Sequence, residues 1–87
     1  MHAVVVRVTV NDEESAVKEL REQVVPSVSQ IPGFVTGYWT RKGNSGLSLA
    51  VFESEDAANS AGERVRDAAP EAVTVEDVEV REVVANA

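Results

Sequence analysis

Along the first ten residues the chain alternates. Positions 4, 6, 8 and 10 are all valine, and Ala3, Val5, Arg7 and Thr9 stand between them. A period of two built from β-branched residues predicts a strand from about Ala3 to Val10. After "NDEE" the period lengthens, and Val17, Leu20, Val24, Val28 and Ile31 form one apolar helical stripe. Lys18, Glu19, Arg21 and Glu22 make its wet side. Asn11 is placed to cap this helix, with Glu14 three residues on as in a capping box. Asp12 and Glu13 suit the positive helix end. Pro26 lies inside the stripe; it removes a backbone donor and crowds the preceding turn, so a kink or restart is expected there.

"IPG" closes the helical region. Pro32 presets the second residue of a tight turn, and Gly33 supplies the positive φ of type II. A second strand is expected from about Phe34 to Lys42, "GNSG" as a hairpin loop, and Leu47 to Glu53 as the return. Ser54 and the acids after it open a second helix, about Glu55 to Ala68, with Ala58, Ala61, Val65 and Ala68 on one side. Pro70 stops it. Alternation resumes from Val73 to Val84, but its parity slips between Val75 and Val78. That slip means a bulge or a break around Glu76 and Asp77.

The order strand, helix, strand, strand, helix, strand predicts one α+β domain over residues 1–87. It is the ferredoxin-like βαββαβ unit, a four-stranded antiparallel sheet with two helices on one face. Both faces of the sheet are apolar: the two parities of the first strand each hold valine, and the third strand carries Leu47, Leu49 and Val51 on one side and Ala50 and Phe52 on the other. Helices can cover one face only. The same face of a second copy is expected to cover the other, giving a homodimer with sheets packed face to face.

With this order of elements, "PGFVTGYW" opening the second strand and "VFESEDAA" leading into the second helix, the chain resembles the dimeric α+β barrel superfamily. Within it, the likeness is to small antibiotic-biosynthesis-monooxygenase-like proteins. The resemblance covers essentially the whole chain. It implies a dimeric barrel, but the superfamily spans cofactor-free oxygenases, haem-degrading enzymes, lactone isomerases and ligand-sensing domains.

Composition narrows the chemistry. Fifteen acidic residues against eight basic give a net charge of −7, which argues against nucleic acid and anionic membrane surfaces as partners. No apolar run reaches the roughly 20 residues of a membrane span. The first residues read as a strand rather than a signal peptide, so a cytoplasmic location is expected. With no cysteine and a single histidine, disulfides and thiolate chemistry are excluded, and neither a metal nor a cofactor is expected.

Phe34, Tyr38 and Trp39 are three of the chain's four aromatics. Tyr38 and Trp39 are adjacent on one strand and must point to opposite faces. Arg7 interrupts a valine-rich central strand; Glu79 or Glu82 on the neighbouring last strand is expected to pair with it in a buried ion pair. His2 is read as a surface side chain, and Arg41 and Lys42 as a solvated edge beside the hairpin loop. The reading is a small homodimeric barrel protein, oxygenase-like in fold but without a clear catalytic constellation. The alternative is a cofactor-independent monooxygenase acting on an aromatic or polyketide-like substrate, with Arg7, Tyr38 and Trp39 as candidate substrate-binding residues. Room decides between them: a catalyst needs a pocket of a few hundred Å³ with converging polar groups.

Overall fold

The computed structural model describes residues 1–67 and 72–87. Ala68 and Pro70, expected to close the second helix, lie outside them. Strand β1 (His2–Val10) is followed by α1 (Glu13–Glu19), a π-helical turn (Leu20–Val24) and α2 (Val25–Ser29). Then come β2 (Phe34–Lys42), β3 (Ser45–Phe52), α3 (Glu55–Asp67) and β4 (Val73–Glu82). The strands form one sheet in the order β2-β3-β1-β4, every neighbouring pair antiparallel. This is the expected ferredoxin-like unit, with β1 and β3 central.

Alternation divides β1 as the sequence implied. Val4 and Val6 are buried on the helix side, together with Ala50 and Phe52 of β3 and Val78 of β4. Phe52 is completely buried and meets the Phe34 ring edge-on, centroids 5.8 Å apart. Its burial alone stabilises the fold by about 1.5–3 kcal/mol. Helix α3 lies close on this surface because its contact residues are small: Ala58, Ala61 and Gly62 are buried. A Cβ added at Gly62 would already touch Val78 at 3.5 Å. Arg66 reaches from α3 to donate a hydrogen bond to the Val78 carbonyl at 2.9 Å.

The local signals fall close to their expected places. The bulge sits at Glu76, since Arg7 pairs with Asp77 and Val8 with Val75. Glu76, left unpaired in the ladder, accepts a hydrogen bond from the Thr9 hydroxyl at 2.9 Å. Gly33 has φ +89°, and the Phe34 amide donates to the Ile31 carbonyl at 3.1 Å, closing the expected turn. The hairpin loop is shorter than expected. Only Gly43 and Asn44 lie between paired Lys42 and Ser45, and the positive φ falls on Gly43.

The first helix corrects one detail and explains another. Its cap is Asp12, whose side chain accepts from the Ser15 amide at 3.2 Å. Asn11 instead donates to the Thr74 hydroxyl at 3.0 Å, tying β1 to β4. The helix therefore starts one residue later than the capping box suggested. Before Pro26 the helix widens into a π turn, and the Val25 amide reaches back to Leu20. One widened turn relieves the crowding that the proline ring imposes on the carbonyl four residues before it. Among the described residues no helix is long and apolar enough to cross a membrane.

Candidate functional site

The two helical regions treat the sheet differently. Helix α3 packs tightly over β1 and β4, whereas α1, the π turn and α2 stand off β2 and β3. Between them lies a cavity of about 910 Å³. Its roof is the apolar stripe of the first helical region, including Val17, Leu20, Val24 and Val28. Its floor includes the helix-facing parity of β2 and β3. There Gly37 is paired with Ala50, Trp39 with Ser48 and Arg41 with Gly46. Ser48 and Ala50 are short there, while the Trp39 ring covers Gly37 and Val8 covers Gly46.

Trp39 is the largest group on that floor. Its six-membered ring folds back over Gly37, so closely that a Cβ there would lie 2.9 Å from Cη2 and from Cζ3. One indole face rests on bare backbone. The ring is half-buried and borders the cavity, which suits it to stack with a planar aromatic guest. At the outer end the apolar cavity meets a second hollow of about 500 Å³, bordered by Glu13, Glu14, Lys18 and Glu22. Val17, Arg21 and Arg41 border both spaces. Across this mouth Arg41 Nη1 lies 3.3 Å from Glu13 Oε2, linking the start of α1 to the end of β2.

The structure separates the residues that the sequence grouped as candidates. Trp39 and Tyr38 both border the cavity, but their side chains point to opposite faces of the sheet. Tyr38, on the opposite parity and paired with Leu49, lies on the open sheet face with 65% of its surface exposed. Arg7 shares that open face. Its expected pairing with Glu79 or Glu82 is corrected: it lies 3.5 Å from Asp77, directly across the ladder. Nor is the pair buried within the chain, since the side chains keep 64% and 42% of their surface. Glu79 pairs instead with Arg81 on its own strand. His2 is more enclosed than a surface reading implies, with 22% of its side chain exposed and its Nε2 3.3 Å from Glu55. It does not border the cavity.

Arg41 is the residue that sequence reasoning passed over, having been assigned to a solvated edge. The signal was parity: Gly37, Trp39 and Arg41 alternate with Tyr38 and so share Trp39's face. Among the described residues Asp67 is the one carboxylate bordering the cavity, and no His or Lys borders it. Such a site can desolvate and orient an aromatic molecule and stabilise negative charge through a guanidinium. It offers little for proton transfer.

No protein-family model matches the chain, and no curated protein matches it. Solved structures do. MupZ from Pseudomonas fluorescens superposes with a TM-score of 0.70 at 13% identity, over 91% of this chain. This chain spans 65% of the length of MupZ. A mutant of SnoaB, a cofactor-independent oxygenase from Streptomyces nogalater, superposes with a TM-score of 0.69 at 18% identity. That match covers 98% of this chain and 94% of the other. Likenesses at these identities show the fold alone, and it is the ferredoxin-like α+β fold that the order of elements implied.

Proposed function

We propose that this chain is a cofactor-independent monooxygenase that takes a planar aromatic, polyketide-like substrate into the cavity between the first helical region and the sheet. The cavity itself carries the reading. About 910 Å³ lies near the upper end of the roughly 300–1,000 Å³ usual for small-molecule sites. Apolar walls strip water from the guest, Trp39 stacks on it, and Arg41 stabilises the anion formed when an acidic ring proton is lost. In such a reaction the substrate supplies the electrons that reduce dioxygen. Support also comes from the fold shared with SnoaB, described as a cofactor-independent oxygenase.

One observation favours a second reading, a binding module without turnover. Asp67 is the single carboxylate bordering the cavity among the described residues, so a general base is scarce. Anthrone, a planar ketone with an acidic ring CH₂, separates the two. The enzyme reading expects quenching of Trp39 and oxygen uptake above the spontaneous rate, with one oxygen atom entering the ring and the other leaving as water. Quenching without added uptake supports the module. Neither effect overturns both.

A homodimer in a reducing, cytoplasmic setting completes the proposal. Its support is the open sheet face, where Leu47 and Leu49 keep 50% and 39% of their surface beside half-buried Val5. Sedimentation at micromolar concentration tests it. A stable folded monomer refutes it.

A further inference from the structure

We infer that the cavity selects aromatic acids, and that Arg41 does the selecting by exchanging Glu13 for the carboxylate of the ligand. This rests on the small-molecule reading above, whether or not turnover follows. Its first ground is position. Arg41 stands where the apolar cavity opens into the charged hollow, and Arg21 borders the same junction from the helix above. Trp39 and Arg41 are two residues apart on one strand face, about 7 Å along the strand. A bicyclic aromatic acid spans that distance, with its rings on the indole and its carboxylate at the guanidinium.

The second ground is the weakness of Arg41's present partner. The pair with Glu13 has a single close approach of 3.3 Å, and the two side chains keep 42% and 60% of their surface. Solvent-exposed pairs of this kind hold weakly. A planar guanidinium binds a carboxylate best through two parallel hydrogen bonds. A ligand anchored by its rings offers that geometry at high local concentration and displaces Glu13.

The third ground is charge. The chain carries −7 overall, yet around the hollow at the mouth Lys18, Arg21 and Arg41 balance Glu13, Glu14 and Glu22. Arg21 makes no ion pair among the described residues. A neutral guest would leave Arg41 to its weak pair with Glu13 and Arg21 without a close carboxylate among the described residues. An aromatic acid satisfies them and the apolar interior together.

The test compares 2-naphthoate with 2-naphthamide, which has nearly the same shape but no charge, by calorimetric titration of the full chain. Because hydrogen bonds to charged groups are the stronger ones, naphthoate should bind about tenfold more tightly. Arg41→Gln should bring that ratio to about one by weakening naphthoate far more than naphthamide. Glu13→Gln removes the competitor and should tighten naphthoate about threefold. Circular dichroism checks that each variant is folded; should Arg41→Gln not fold, Arg41→Lys serves, expected to keep part of the preference. Equal binding of the two probes by the unmodified chain overturns the selectivity proposal and leaves the cavity reading standing. So does an equal loss of both probes on substituting Arg41. If neither probe binds, both proposals fail.

Discussion

Replacing Gly37 by alanine tests whether Trp39 is seated as described. The new methyl would stand 2.9 Å from two carbons of the indole and 3.5 Å from the Leu49 carbonyl oxygen. Carbon atoms rest about 3.5–4.0 Å apart, so the ring must retreat by up to about an ångström. The backbone offers no resistance, because Gly37 is not among the glycines with positive φ. Removing a strand glycine is by itself favourable by about 0.5–1 kcal/mol. Against this stands a displaced side chain, at about 0.5–1.5 kcal/mol for an off-rotamer torsion. The two effects nearly cancel, because the ring has open cavity to move into. Thermal unfolding should therefore place Gly37→Ala within about 1 kcal/mol of the parent. The cavity, however, loses both its stacking platform and some of its volume. Since aromatic stacking is worth roughly 0.5–1.5 kcal/mol beyond burial, affinity for 2-naphthoate should fall about tenfold. The single tryptophan makes its own emission the reporter of ring displacement. Unchanged affinity with unchanged emission would refute the placement of the indole over Gly37. A stability loss above about 3 kcal/mol, as in overpacked cores, would show the cavity is not there to receive the ring.

Three further substitutions probe the frame around the site. Gly33→Val forces a β-branched residue to φ +89° and brings its Cβ within 3.1 Å of Ala57, so chemical unfolding should show a loss of about 2–4 kcal/mol, well beyond a surface change. Val5→Asp places a charge on the open sheet face; sedimentation should show the proposed dimer dissociating, and an intact dimer would refute the face-to-face arrangement. Arg7→Ala measures the same face by stability: drying of the Arg7–Asp77 pair by a second copy implies a loss of about 3–5 kcal/mol, whereas a wet pair implies less than about 1 kcal/mol.

Much of the fold was legible because its signals are local and period-bound. The alternation of β1 divided it into two faces without saying which of them meets the helices, and the slip between Val75 and Val78 located the Glu76 bulge. Gly33 followed from turn stereochemistry. The errors arose where two residues competed for one role or where a partner lay across the sheet. Asn11 and Asp12 can both cap; Thr74, brought opposite by the β1–β4 pairing, takes the Asn11 amide and leaves the cap to Asp12. Arg7 was assigned to Glu79 or Glu82 by adjacency of strands alone, but the antiparallel register puts Asp77 opposite it and Glu79 opposite Val5. For the site, Trp39 was legible as an aromatic anchor. Arg41 was not, because its proximity to the hairpin loop outweighed its shared parity with Trp39.

The cavity also follows from side-chain size on one parity. Where α3 meets the sheet, small residues lie on the helix, and the close approach leaves no gap. Beneath the first helical region the small residues lie on the strands instead, at Gly37, Gly46, Ser48 and Ala50, while the helix keeps its bulky Val17, Leu20, Val24 and Val28. Moving the helix down to fill the space would press it against Trp39 and Arg41, which stand on the same floor. The space is too large to be a dry void. At about 24 cal/mol per Å³ for an empty apolar cavity, 910 Å³ would destabilise the chain by roughly 20 kcal/mol. That exceeds the whole stability of an ordinary domain, about 5–15 kcal/mol. The cavity must therefore hold water when no ligand is present, and Arg21 and Arg41 stand where it adjoins the charged hollow. Water against so many valines is poorly held, and its release favours an apolar guest. The arginines at the mouth then decide which apolar guest remains.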